Sequence, residues 1–341
     1  MSYERGMAAI RLQCPDEIPH TQYISLRALA PALTGLPADH PRLQEEYSKK
    51  LDLDFIWTTD APDLKGRLTD MGHAIWMEDL SDYRPTTYYP FKTAEEIYAF
   101  DPIEEYGIPN VNEQAEKYQR WWKENQPKTD AVLPGGIYRS FVSFAIAMFG
   151  WEPLLTAVGL DEERFEAVME KAFKIIMAYT QAWAKTDIEV FLTHDDMVWT
   201  QGAIFRPEWY RRYVFPRFAK YWEVIRDAGK TVLFCSDGNF TEFVDDLAAA
   251  GAQGFIFEPL TDLDYIVSKY GQTHVIIGNA DCRILTFGTK EQVRAEVKRC
   301  IDTGRDCPGY FFAVGNHIPP NVPVENAVEC LQAYWDMRRR G

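Results

Sequence analysis

The sequence predicts a (β/α)8 TIM barrel. Three observations carry that prediction: short, continuously apolar runs; amphipathic helical patterns between them; and no glycine-rich dinucleotide fingerprint after the first run. Strands buried on both faces of a parallel sheet read as unbroken apolar runs, whereas half-solvated strands alternate. Strands that alternate with helices need a parallel sheet with the helices packed outside it.

Taken in order, the runs are LDFIWTT (53–59), DAVLPGG (130–136), IEVFLTH (188–194), TVLFCS (231–236), GFIFEPL (254–260), HVIIGNA (274–280) and YFFAVGN (310–316). Seven clear strands, with an eighth unassigned, favour a closed barrel over an open doubly wound sheet. Helical spacing of apolar residues covers 161–185, 207–229, 240–251, 290–304 and 324–340. Pro216 predicts a break inside 207–229, because proline lacks the N–H that an interior helical position donates. The stretch before residue 130 is long and irregular, and predicts a helical and irregular N-terminal extension over the barrel mouth. The domain reading is one domain over 1–341, with 1–50 as the extension and 51–341 as the barrel.

Composition narrows the function. The 341 residues can bury a sizeable core, and 46% hydrophobic with 26% charged residues marks a globular chain. A net charge of −15 repels phosphate backbones and argues against nucleic-acid binding. The longest apolar stretch, FVSFAIAMFGW, is too short to span a bilayer, so no membrane role is expected. Six cysteines without a CxxC pair predict reduced thiols and a cytoplasmic protein. The 18 Tyr, 20 Phe and 10 Trp supply core rings and the walls of a pocket for a flat substrate.

In such a barrel, chemistry sits at the C-terminal ends of the strands. There the sequence places Asp60, Tyr138 with Arg139, His194 with Asp195 and Asp196, and Cys235 with Asp237 and Asn239. Later ends carry Glu258, Asn279 with Asp281, and Asn316 with His317. Any one of these could be a turn or a helix cap. Cys, His, Asp and Glu at nearly every strand end make a binding site the stronger reading. Adjacent carboxylates such as Asp195 and Asp196 need a donor or a cation if buried, and Cys, His and carboxylate all ligate zinc.

Several segments resemble the uroporphyrinogen decarboxylase superfamily, and within it the corrinoid-dependent methyltransferases. They are EEIYAFDP (95–102), LPGGIYRS (133–140), FGWEPLL (149–155), FRPEWYRRYVFPRF (205–218), IIGNADCRIL (276–285) and GNHIPPNVPVENA (315–327). The resemblance implies the (β/α)8 fold. Its activities include heme-pathway decarboxylation, zinc-dependent methyl transfer to coenzyme M, and aromatic O-demethylation, which delivers a methyl group to a corrinoid protein. The His-x-Cys zinc pair of the coenzyme M enzymes falls on Cys235 and Asp237, and their later Cys falls on or near Asn316, so that zinc triad is not preserved. Asp60 matches the decarboxylases' aspartate, whereas Arg11 stands alone where they carry arginines for a polycarboxylate.

The resemblance therefore implies a methyltransferase acting on a methoxylated aromatic compound. A partner corrinoid protein would carry the cobalamin, and oligomerisation is open. Asp237, Glu258 and His317 are the expected catalytic groups. Asp60, Tyr138, Arg139, His194, Asp195, Asp196, Asn239, Asn279 and Asn316 are expected to bind substrate. Cys235, Asp237, Glu258, Asp281 and His317 are the candidate ligands for Zn2+. A hydrogen-bonding pocket in place of the metal stays open.

Overall fold

A computed structural model of the chain describes residues 2–340 apart from 61, 63, 73, 74, 78–81 and 84–87. Six parallel strands form one sheet: β1 (Gly135–Tyr138), β2 (Val190–His194), β3 (Thr231–Ser236), β4 (Gly254–Phe257), β5 (Val275–Ile277) and β6 (Tyr310–Phe311). They pair in chain order from β1 to β6. Single bridges extend the sheet at both edges. Phe55 and Asp60 pair with Val132 and Ile137 beside β1, and His20 and Ile24 pair with Phe312 and Ile318 beside β6. The two added segments meet each other: the Asp54 N–H donates to the His20 carbonyl at 3.0 Å, and Thr21 Oγ1 donates to the Phe55 carbonyl at 2.7 Å. Six strands and two bridged segments thus close the ring at eight staves.

The helices that cover the ring are α1 (Ser2–Ile10), α2 (Val111–Asn125), α3 (Val142–Phe149), α4 (Glu162–Ala184), α5 (Phe215–Asp227), α6 (Val244–Ala250), α7 (Leu263–Tyr270), α8 (Cys282–Phe287), α9 (Lys290–Gly304) and α10 (Val324–Met337). Many starts are set locally. Asn110, Asp161 and Asp262 cap α2, α4 and α7 through their side-chain oxygens, and Thr289 with Gln292 forms a capping box on α9. Pro216 does not break its helix. Helical residues run without a gap from Pro207 to Asp227, and the regular α pattern is interrupted only by a π-helical turn, Tyr210–Val214, just before Pro216. None of the six cysteines is bridged, and among the described residues no single helix is long and apolar enough to cross a membrane.

Strand alternation sorts the core into two layers. Phe55, Val132, Val190, Leu192, Leu233, Cys235, Ile256, Ile277 and Phe311 fill the barrel interior together with Met7, Ala9 and Ile10 of α1. The intervening residues, such as Phe191, Phe234 and Phe255, face the helices.

The first residues therefore lie elsewhere than the expected extension over the mouth. α1 plugs the opposite end. Arg11 and Tyr3 reach Glu189, just before β2, and Leu12 packs on Gly309, just before β6. Gly6 makes this close approach possible: a Cβ there would sit 2.3 Å from the Asp54 carbonyl oxygen. Burying Met7 and Ile10 contributes about 1.5–3 kcal/mol each. Residues 20–24, expected in the extension, are instead a stave of the barrel.

Candidate active site at the barrel mouth

Parallel register aligns three inward side chains on neighbouring strands. Tyr138 is the register partner of His194, and His194 is that of Cys235. The Tyr138 and His194 rings lie 4.6 Å apart between centroids. Asp196, two residues beyond the end of β2's His194, joins the strand ends together. Its Oδ1 accepts from His194 Nε2 at 3.1 Å and from the Asp237 N–H at 3.1 Å, and its Oδ2 accepts from the Tyr138 hydroxyl at 3.3 Å. Its own N–H donates to Ser143 Oγ at 2.7 Å.

A second group of contacts continues from Asp237. Asn316 Nδ2 donates to Asp237 Oδ2 at 3.0 Å and to Glu258 Oε1 at 3.2 Å. Glu258 Oε2 accepts from the Gly238 N–H at 2.7 Å. With its amide nitrogen so used, Asn316 offers Oδ1 to His317 Nδ1–H, which leaves His317 Nε2 as an acceptor.

Three carboxyl groups and one imidazole thus share a half-buried space. Burial alone would depress the His194 imidazolium, but the negative charge that Cys235 and Asp196 can carry raises it well above its ordinary value. Burial also raises the Cys235 thiol and keeps it neutral, so Asp196 is the anion that holds the imidazolium. Burial opposes ionisation of Asp196 too, yet His194 holds its carboxyl below the usual range. Asp237 is pushed up to about 8 by burial and then by the charges of Asp196 and Glu258, so it keeps its proton at neutral pH. Burial raises the Tyr138 hydroxyl and lowers His317.

His194, Asp196 and Asp237 place one ligand atom each within 4.8 Å of one another, close enough to hold a metal ion. One imidazole and two carboxylates suit Zn2+, and a cation there would relieve the crowding that otherwise protonates Asp237. This triad shares only Asp237 with the expected ligand set. Cys235 lies level with His194 and its fully buried thiol interacts with the imidazole, but burial keeps that thiol protonated, and Glu258 and His317 are tied to Asn316 and the Gly238 backbone. Asp281 is the N-cap of α8 and pairs with Arg283 at 2.6 Å, which holds its carboxyl low despite burial.

Other expected substrate-binding residues point away from the mouth. Asp195 alternates outward and is fully buried, where it accepts from Ser140 Oγ at 2.6 Å, from the Phe141 N–H and from the Ser143 N–H at 2.9 Å. It anchors the start of α3. Asn279 accepts from Arg299 at 3.2 Å, donates to the Thr261 carbonyl at 3.2 Å, and faces α9. Asn239 closes a local turn on Thr241. Asp60 turns outward to the Tyr118 hydroxyl at 2.9 Å. It lines a flank cleft of about 660 Å³ with Tyr118, Trp121, Tyr179 and Trp183, so an aromatic-walled cavity stands beside the barrel as well as any at its mouth. Ser143, which orients Asp196, was not among the expected residues; nothing in FVSFA distinguishes it from a core serine.

Comparison with known proteins agrees with this architecture. A methyltransferase from Methanosarcina mazei superposes with a TM-score of 0.65 over 98% of each chain, at 18% identity, which establishes a shared fold. Proteins named uroporphyrinogen decarboxylase align from Geobacter sulfurreducens, at 28% identity over 49% of this chain and 48% of the relative. Another aligns from Syntrophotalea carbinolica, at 26% identity over 73% of each. The chain thus spans about half the length of the first of these relatives. The family model described as Uroporphyrinogen decarboxylase (URO-D) matches residues 61–336, most of the barrel, and the chain belongs to that family.

Proposed function

We propose that this protein is a methyltransferase that removes the methyl group of a methoxylated aromatic compound and delivers it to the cob(I)alamin of a separate corrinoid protein. One observation carries the reading: Asp196, Asp237 and Glu258 crowd one imidazole, and among the described residues no lysine or arginine pairs with Asp237 or Glu258. Such a cluster must hold either an extra proton or a cation. Either one is the electrophile that an aryl ether oxygen needs as it departs.

The reaction balances simply. The methyl carbon–oxygen bond breaks, its electron pair stays on the aryl oxygen, and Asp237 supplies the proton that completes the phenol. Tyr138 and Asn316 hold Asp196 and Asp237 in place. Cob(I)alamin, brought by the partner, would supply the nucleophile that takes the methyl group. Zn2+ on His194, Asp196 and Asp237 would supply a Lewis acid in place of the Asp237 proton.

Decarboxylation of a porphyrinogen is the second reading, favoured by the names of the curated relatives. Against it, Arg11 lies at the opposite end of the barrel on Glu189, out of reach of a substrate at the mouth. The test combines metal analysis of the purified protein with two assays: methyl transfer from methoxyarenes to a reduced corrinoid protein, and release of CO2 from uroporphyrinogen. Methyl transfer without CO2 release supports the proposal; the reverse result rejects it. If the triad takes Zn2+, adding the metal raises the melting temperature, and a chelator reverses the rise.

A further inference from the structure

We infer that Arg139 is the carboxylate receptor of this site, pairing with an anionic group on the substrate. The inference deepens the reading above and rests on it for the location of the site. Arg139 follows Tyr138 at the end of β1 with a left-handed φ of +71°, a conformation that non-glycine residues adopt at a cost. Its N–H donates to the His194 carbonyl at 3.1 Å, which ties this turn to the strand that carries the imidazole. Its guanidinium carbon stands 5.4 Å from the centroid of the Tyr138 ring, and that ring in turn lies against His194.

What sets Arg139 apart is that, beyond its approach to the Tyr138 ring, its guanidinium has no polar partner among the described residues. Arg5, Arg217 and Arg338 are similarly half-buried, and each pairs with carboxylates; Arg340 donates to main-chain carbonyls. Arg139 forms no ion pair or side-chain hydrogen bond among the described residues, and its Nε is buried without a partner. This happens in a chain with 51 acidic residues against 36 basic ones, beside a cluster of carboxyl groups. Tyr138 cannot take the role, because its hydroxyl already donates to Asp196. A planar fork of donors beside the Tyr138 ring, on the residue that follows β1, matches a carboxylate, which it can bind through two parallel hydrogen bonds. An aromatic carboxylate and the acid arms of a tetrapyrrole present that same group.

The experiment is titration calorimetry of the wild type, Arg139→Met and Arg139→Lys with para-methoxybenzoate, methoxybenzene and uroporphyrin. Both substitutions keep a long side chain at the same backbone position, and thermal melting verifies that they fold. Wild type should bind para-methoxybenzoate at least about tenfold more tightly than methoxybenzene. Arg139→Met should lose about 10- to 100-fold in affinity for the carboxylate and none for methoxybenzene, with Arg139→Lys between them. Uroporphyrin bound through Arg139 in place of para-methoxybenzoate would keep the carboxylate receptor and reject the methyl donor proposed above. Equal wild-type affinity for charged and neutral ligands, no binding of either carboxylate, or a preference that survives in Arg139→Met would overturn the inference. Methyl transfer by the wild type, measured separately, decides the proposed function without reference to Arg139.

Discussion

The two ends of the barrel handle charge in opposite ways. At the end plugged by α1, Arg5 meets Asp54 at 2.7 Å and Asp52 at 2.9 Å, and Arg11 meets Glu189. At the mouth, three carboxyl groups share one imidazole, and the nearby guanidinium of Arg139 pairs with none of them. The first arrangement gives each carboxylate a guanidinium and closes the core, although burial still pushes Asp54 up to about 7. The second leaves Asp237, pushed up to about 8, with no cationic side chain paired to it among the described residues, an arrangement typical of reactive sites. The contrast separates residues that hold the fold from residues available for chemistry, even where the two kinds are adjacent, as in Asp195 and Asp196.

Substitutions can break that contrast. The largest effect is expected at Asp237. Asp237→Asn should lower the rate of methyl transfer by about 10²- to 10⁴-fold while leaving the melting temperature unchanged or higher, since a crowded acid has been removed. In metal-free wild-type protein the rate should be full below pH 7 and fall as pH rises through about 8, where the raised Asp237 carboxyl loses its proton. A rate that instead rises through that range would show that the carboxylate is the active form.

Asp195→Ala should do the opposite: about 2 kcal/mol or more is lost in urea unfolding, because buried donors at the start of α3 lose their acceptor. Turnover per folded molecule should persist. Gly6→Ala should cost about 1–3 kcal/mol, because the new methyl group meets the Asp54 carbonyl and α1 must shift off the barrel. Arg11→Ala should cost only about 0–1 kcal/mol, since that pair is solvent-exposed, and should leave substrate affinity intact. A large loss of affinity in Arg11→Ala would revive the decarboxylase reading.

Much of the barrel was legible in the sequence, because a strand buried on both faces has no choice but to be apolar along its length. The exception is instructive. Residues 20–24, HTQYI, make a stave through single bridges to Phe312 and Ile318 and a contact with 54–55, so their pattern is polar and irregular and resembles a loop. The plug helix was equally hidden: its apolar face does not reveal which end of the barrel it covers. At the site, the sequence placed polar groups at the right strand ends but could not divide them. Asp281 and Asn239 sit at the same kind of position as Asp237, yet one caps α8 and the other closes a turn.

By itself, then, the sequence determined the fold class and the set of strand ends from which a site would be drawn, since local periodicity acts over a few residues. Only the tertiary structure decided which of those ends meet. Alternation along the exit from β2 turns His194 and Asp196 inward and Asp195 out, and parallel register sets Tyr138, His194 and Cys235 side by side. Charge follows from that placement: Asp237 keeps its proton because Asp196 and Glu258, distant from it in the sequence on either side, are brought against it in a half-buried space.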